Sequence, residues 1–437
     1  MTNASLNWRP TPHFSEILRT FGQIGLLSFG GPAGQISLMH RVLVEEKKWL
    51  NEDRFLHALN YCMLLPGPEA MQLATYVGWL IDGVRGGVVA GLLFVLPGAC
   101  VITLLSAVYL FAGDVPLVEA LLFGLKAAVL GIVLQALVGI SKRALKTRTA
   151  IVIAIAAFVG IALFKLPFPL VVAAAAVFGA LFPPLGRATL PDATPDATEQ
   201  KPSLHSFVAT VVTWTLIWFA PLAIMLPILG LNHVYVAEAG FFTKLAMVTF
   251  GGAYAVLAYV GQQAVDTHHW LGAGEMLAGL GLAETTPGPL ILVLVFVGFL
   301  GGARLAGVDP LLGGLGGAAI TLWFTFVPCF LWIFAGAPYV ERVRNIRWLA
   351  SALASVTAAV VGVIANLGLW FGLHVLFSRV SETRIGPLVL PIVEWSSIDA
   401  GALAIAAVAA VSLIYFRASM MIVLAGAMFA GLLLRVV

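Results

Sequence analysis

The chain has 437 residues, of which 60% are hydrophobic and only 10% charged, and its mean hydropathy is +1.00. Soluble globules carry charge on about 25% of their residues, so this composition excludes one. A net charge of +3 says little about partners and gives no support to nucleic-acid binding.

In chain order, residues 1–12 are polar and lack the basic-then-apolar order of a cleaved signal. Apolar segments follow at 14–40, 55–80, 88–111, 117–140, 150–164 and 168–182. Residues 183–206 then turn to Pro, Asp, Thr, Glu and Lys, a composition that cannot bury enough apolar surface to fold and reads as a linker. A further apolar segment spans 207–229, and six more lie at 241–263, 276–301, 311–334, 348–377, 398–416 and 419–437. None shows the period-two alternation of a barrel strand. The expected fold class is therefore all-α, a polytopic membrane protein with about 10 to 13 membrane segments.

The chain states its central feature twice. Phe29-Gly30-Gly31, Trp49 and Pro66-Gly67-Pro68 recur as Phe250-Gly251-Gly252, Trp270 and Pro287-Gly288-Pro289, each displaced by about 221 positions. Duplicated Gly and Pro motifs inside apolar sequence point to a transporter built from two repeats with broken helices. The organisation expected is a repeat over 1–182, the linker 183–206, a connecting membrane helix over 207–230 and a second repeat over 231–437. Cys62, Cys100 and Cys329 lack CxxC spacing and read as packed thiols rather than a metal or disulfide frame.

The connecting segment sets the symmetry. The second repeat begins an odd number of segments after the first, so the two should have opposite orientations if each segment crosses. Charge agrees: the loop after the first motif carries Arg41, Lys47, Lys48 and Arg54, whereas 264–275 has no Lys or Arg, and cytoplasmic loops are the basic ones. The same rule puts the basic stretch 142–148 inside as well, although three apolar segments separate it from 41–54. Segments 14–40 and 55–80 are accordingly read as re-entrant hairpins or strongly broken helices, which also brings 342–347 inside. Two full crossings preserve the parity but leave four basic residues outside.

A broken helix in hydrocarbon is tolerated only against protein or a wet cavity, so four breaks imply a central cavity. Helices that restart after a break present amides with partial positive charge, an anion-compatible arrangement. Such restarts are expected at 33–37, 69–73, 253–257 and 290–294. Glycines can instead serve close packing, as the spacing of Gly83, Gly87 and Gly91 suggests.

At these residues the sequence resembles the chromate ion transporter family. The resemblance lies in Ser28-Phe-Gly-Gly-Pro-Ala-Gly-Gln-Ile, Trp49, Leu65-Pro-Gly-Pro with Gln72 and Tyr76-Val-Gly, and Phe94-Val-Leu-Pro97, and it extends to both halves, as in the family's long, two-domain form. The second half departs at Ala253, where the first has Pro32, and at Leu290, where the first has Glu69. The resemblance implies export of chromate from the cytoplasm across a bacterial inner membrane, conferring resistance, with sulfate as a look-alike anion. Composition and spacing alone reach only an anion-compatible secondary transporter.

The residues expected to meet the substrate are Gly30, Gly31, Pro32, Gln35, Pro66, Gly67, Pro68, Gln72, Gly251, Gly252, Pro287, Gly288 and Pro289 at the breaks, with Lys126 and Lys244 as cations within apolar segments. The lysines can alternatively snorkel to the membrane surface. Glu69 and Glu284 flank the two Pro-Gly-Pro motifs and are candidates for proton coupling, or else caps of exposed amides. No G-x-G-x-x-G, CxxC or paired-histidine pattern supports an enzyme, a cofactor or a metal site, and His40, His57, His268 and His269 read as interface histidines. Expected partners are chromate, sulfate, membrane lipid and a second copy of the chain as a homodimer. The rival readings are a sulfate importer and an anion channel.

Overall fold

The computed structural model describes residues 12–182, 204–250, 253–339 and 347–436. Gly251, Gly252, most of the 183–206 stretch and all but the end of the basic 342–347 stretch lie outside the described residues.

Helix α1 (Phe14–Leu27) stops at Ser28, and α2 (Gly31–His40) restarts on Gly30 and Gly31, whose φ angles are +88° and +69°. Left-handed backbone costs an L side chain roughly 1–2 kcal/mol, so the glycine pair makes the reversal possible. The chain continues through a π-helical turn (Arg41–Glu46) and returns beside the start of α1, where Lys47 pairs with Glu16 at 2.9 Å and Trp49 lies 6.4 Å from Phe21. The two helices form a hairpin with Phe29-Gly30-Gly31 at its tip.

A second hairpin follows. Asn51 accepts the Arg54 N–H and caps α3 (Glu52–Cys62), the chain turns at Pro66-Gly67-Pro68, and α4 runs over Glu69–Ala112. This is not one rod: Asp82 and Gly83 (φ +60°) leave helical geometry, and the chain folds back so that Gly78 meets Gly86 and Gly91 meets Thr75. Gly87 and Gly91 therefore pack as expected, whereas Gly83 makes the turn. The first limb, 69–81, is about 20 Å long at 1.5 Å per residue, too short for a hydrocarbon core of about 30 Å. Helices α5 (Pro116–Ala144), α6 (Arg148–Ala162) and α7 (Phe168–Leu181) complete the first unit.

After α8 (Leu204–Leu229) the same order recurs: α9 (Val234–Val248), α10 (Ala253–Gln262), a π-helical turn (Gln263–Thr267), α11 (Ala273–Glu284), the second Pro-Gly-Pro, a 3-10 turn (Leu290–Leu292) entering α12 (Val293–Leu305), α13 (Pro310–Gly336), α14 (Arg347–Leu376), α15 (Ala400–Ile414) and α16 (Met420–Val436). Local geometry repeats too. Lys48 and His269, in register, have φ of +54° and +52°, and Trp270 lies 6.1 Å from Phe242, matching the Trp49–Phe21 contact at 6.4 Å. At the base of the α11–α12 hairpin Arg304 pairs with Glu275 at 2.6 Å, and Gly279 faces Phe296 across it. Helix α8 leans on α13, where the Trp323 Nε1–H donates to the Trp218 carbonyl at 3.1 Å, and its other faces are exposed and apolar.

The two units interleave. Helix α5 packs on α15 and α16, and α14 packs on α6 and α7. Gly131 of α5 and Gly362 of α14 make corresponding close approaches: a Cβ on Gly131 would lie 2.7 Å from the Ala410 nitrogen, and one on Gly362 would lie 2.1 Å from the Ala154 carbonyl. Small residues at such crossings let backbones meet where lipid offers no hydrophobic drive.

Two features differ from the sequence reading. An antiparallel hairpin of β1 (Val380–Ile385) and β2 (Leu388–Val393) interrupts the helices and docks on the first unit, with the Val389 N–H donating to the Leu163 carbonyl at 2.8 Å and Lys165 pairing with Glu382 at 2.7 Å. Cys62 and Cys329 are buried, but Cys100 lies on an exposed face of α4. Among the described residues five helices, at Glu69–Ala112, Pro116–Ala144, Leu204–Leu229, Pro310–Tyr339 and Trp348–Leu376, are long and apolar enough to cross a membrane. The molecule is a helical, polytopic membrane protein.

Candidate functional site

The hairpin tips meet across the two units, and they meet reciprocally. The Gly67 N–H of the first Pro-Gly-Pro donates to the Thr249 carbonyl at 2.8 Å, and the Gly288 N–H of the second donates to the Ser28 carbonyl at 2.8 Å. Ser28 and Thr249 are in register, as are Gly67 and Gly288. Contact of i with j matched by contact of j with i is the mark of an approximate twofold relation. Each serine or threonine hydroxyl also donates to the carbonyl one turn back, Ser28 to Ile24 and Thr249 to Leu245, both at 2.6 Å.

Positive φ at Gly67 (+123°) and Gly288 (+91°) lets each turn insert against the other unit. A Cβ on Gly67 would lie 3.0 Å from the Cys329 Sγ of α13, and a Cβ on Gly98 of α4 would lie 2.0 Å from the Pro287 carbonyl. Cys329 and Gly98 each follow a proline inside a long helix, Pro328 and Pro97. Each Pro-Gly-Pro thus seats against the proline position of the opposite unit.

Side chains complete the tips unequally. Gln35, 1% exposed, donates its Nε2 hydrogens across to the Gly288 carbonyl at 2.5 Å; Gln72, 0% exposed, donates to the Pro66 carbonyl of its own unit at 2.7 Å. Because each amide faces a carbonyl, its NH2 must point there, which directs the oxygen the other way. Both oxygens, Gln35 Oε1 and Gln72 Oε1, are buried with no hydrogen-bond partner among the described residues. The second unit has Val256 and Val293 at these positions. It offers a different pair: Tyr254, in the first turn of α10, donates to Glu284 Oε1 at 2.7 Å, joining its two tips.

The helix starts at the tips are bare. Asn51, Thr147, Asp309 and Asp399 cap α3, α6, α13 and α15 with side-chain oxygens. Gly30 before α2, Pro68 before α4 and Pro289 before the 3-10 turn supply no capping side chain, as is also true at the starts of α1, α5 and α7 away from the tips. Bare helix starts present N–H groups and partial positive charge, which suits the oxygens of an anion. The unpartnered glutamine oxygens suit a hydroxyl or water.

The structure therefore joins Gly67 to Thr249, Gly288 to Ser28 and Gln35, and Gln72 to Pro66, with Pro68, Pro287 and Pro289 in the same turns, Gly30, Gly31 and Pro32 at the neighbouring hairpin tip where Gly30 is exposed, Glu69 starting α4 and Glu284 ending α11 beside the turns. Gly251 and Gly252 lie outside the described residues. The lysines are elsewhere. Lys126 reaches Gly274 at the opposite end of α11, beside the Glu275–Arg304 pair and about 18 Å from the turn at 1.5 Å per residue. Lys244 is exposed on α9 with its Nζ 5.9 Å from the Tyr259 ring centroid. At the base of the second pair of tips His268 stacks on Trp270 at 4.5 Å; burial and the neighbouring His269 hold its imidazole below the usual range, so the loop that matches basic 41–54 stays short of positive charge. Sequence reasoning missed Ser28, Thr249 and Tyr254, although the register that aligned the glycines also aligned Ser28 with Thr249.

A family model of chromate transporters matches residues 15–180 and 236–432. A chromate transport protein of Pseudomonas aeruginosa is 32% identical over 83% of this chain and 82% of its own length. One of Cupriavidus metallidurans is 27% identical over 83% of each chain, and an uncharacterized transporter of Methanocaldococcus jannaschii is 23% identical over 85% of this chain and 87% of its own. No solved structure matches the chain. The chain belongs to the chromate transporter family.

Proposed function

We propose that this member of the family is a secondary transporter that exports chromate from the cytoplasm across the plasma membrane of a bacterium, with its oxyanion held among the hairpin tips. The observation that carries this is the reciprocal pairing of Gly67 with Thr249 and of Gly288 with Ser28, which brings bare helix starts from both units together around fully buried glutamines. That the Pseudomonas and Cupriavidus relatives are named chromate transport proteins supports chromate as the cargo.

In this reading the repeats 1–182 and 231–437 have inverted orientations, and α8 is the connecting span that makes inversion possible. The hairpins dip into the membrane without crossing it. The pairing of Lys47 with Glu16 and of Arg304 with Glu275 supports this, because the two ends of a hairpin then stay on one side. Export against a gradient draws on the proton gradient or membrane potential, with carboxyls near the tips, Glu69 and Glu284, handling protons. Radiolabelled chromate flux into inside-out vesicles, with imposed pH or voltage gradients and with excess sulfate, tests all of this. Saturable, gradient-driven uptake with counterflow is expected. Current that does not saturate would make the protein a channel, and preferred flux of sulfate in the opposite direction would make it an importer.

A further inference from the structure

Glu238 has no role in the site described so far. It sits one turn into α9, 0% exposed, and neither carboxyl oxygen has a hydrogen-bond partner among the described residues. Its oxygens face a surface of glycines beside the Trp270 side chain: Oε1 is 2.8 Å from where a Cβ on Gly301 of α12 would stand, and Oε2 is 3.2 Å from that point on Gly317 of α13. In the first unit the register position is Ile17, equally buried at 1%. An aliphatic side chain fills the equivalent place, so packing alone does not call for an acid.

The titratable and charged groups on the surrounding elements are otherwise engaged or distant. On α9 itself Tyr235 donates to the Gly313 carbonyl, His233 Nδ1 accepts the Tyr235 N–H, and Lys244 lies over Tyr259. Arg304 of α12 holds Glu275 and the Trp270 carbonyl, and His268 stacks on Trp270. Asp309 caps α13, Cys329 lies at the first Pro-Gly-Pro, and His205 is at the far start of α8. A carboxylate enclosed here would be uncompensated, which the interior of a membrane protein disfavours strongly.

We propose that Glu238 is a proton-binding site that couples the seam between α9 and the α12–α13 pair to transport. With the seam closed the carboxyl holds its proton. When α9 parts from the glycine surface, water enters, the O–H bond breaks and the proton passes to water as hydronium, leaving a hydrated carboxylate. This inference rests on the proposed proton coupling of chromate export, and it goes beyond it in naming a residue remote from the Pro-Gly-Pro turns.

The test is full-length protein in proteoliposomes, measuring radiolabelled chromate uptake driven by a pH gradient alongside chromate–chromate exchange at equal pH. Glu238→Gln, which keeps shape and removes titration, should lose the gradient-driven component to a greater degree than exchange. An equal response to the gradient in wild type and Glu238→Gln would overturn the role of Glu238 while leaving proton coupling intact. A wild type indifferent to the gradient would overturn both. Should Glu238→Gln fail to accumulate in the membrane, Glu238→Asp decides: a shifted midpoint in the dependence of flux on pH supports the proposal, and an unshifted one overturns it.

Discussion

The two Pro-Gly-Pro turns share a backbone and differ in the side chains around them. Both units turn at glycines of positive φ, both seat a Pro-Gly-Pro against a proline of the other, and both tie that turn to a carbonyl of the opposite unit. Yet the first contributes Pro32, Gln35, Glu69 and Gln72, where the second has Ala253, Val256, Leu290 and Val293 and uses Tyr254 with Glu284 instead. The backbone motif makes a place for an anion; the side chains divide the labour within it. Even the capping of the turns is divided, since Gln72 serves its own unit and Gln35 serves the other.

The likeness of the two units would fail most completely if they were not inverted. Cysteines placed singly at Lys47 and at its register partner His268, in a background without Cys62, Cys100 and Cys329, should react with an impermeant thiol reagent from opposite sides of the membrane. Reaction of both from one side removes the inversion.

The next largest effect should come from the turns themselves. Gly67→Leu must adopt φ near +123° and displace Gln72 and Cys329, so chromate flux should vanish at normal membrane abundance. Gly288→Leu is strained too, but its nearest neighbour is the flexible end of Leu292 and its unit supplies no glutamine, so the loss should be smaller. Equal losses would mean that the units share the site evenly.

Gln35→Ala sharpens the asymmetry. It leaves the buried Gly288 carbonyl without its donor, a defect worth about 1–3 kcal/mol, whereas Val256→Ala at the matching position touches no polar group. Chromate transport by the first variant should fall by roughly tenfold or more, as about 1.4 kcal/mol is a factor of ten, and by the second it should stay near wild type. Flux assays normalised to membrane protein would show this.

The smallest effect is expected at Lys126. From its place at the far end of α11 it can draw in a dianion but cannot hold one at the tips, so Lys126→Gln should raise the KM for chromate severalfold with little change in maximal rate, and added salt should erase the difference. Lys126→Arg should recover much of it. A fall in maximal rate that salt does not relieve would return Lys126 to the substrate site.

Much of this was legible because repeats constrain backbone. A tight reversal in an apolar helix needs glycine and proline, so Gly30-Gly31 and the two Pro-Gly-Pro motifs announced three breaks and the register that the Pro-Gly-Pro pair shares, and the polar 183–206 stretch marked the junction. What stayed hidden depends on which surface meets which. Nothing local says that Gln35 reaches Gly288 rather than its own turn, that Gly83 reverses the chain while Gly87 and Gly91 pack, or that Glu238 lies inward when Ile17 fills the same position. The β hairpin hid for another reason: Val380–Ile385 and Leu388–Val393 are short, and an apolar setting draws attention to helices alone.

The interleaving of α5 with α15 and α16 also fixes an order of events during synthesis. The glycine face of α5, where Gly124 meets the Ala427 carbonyl and Gly131 meets Ala409 and Ala410, is made early, but its partners emerge only at the end of the chain. Contacts of such long sequence separation close late, so the first unit must wait in the bilayer with small-residue surface turned to lipid or to a chaperone. A ribosome that stops before Ala400 leaves that surface open for good, and such a product should be a substrate for membrane proteases before it is ever a transporter.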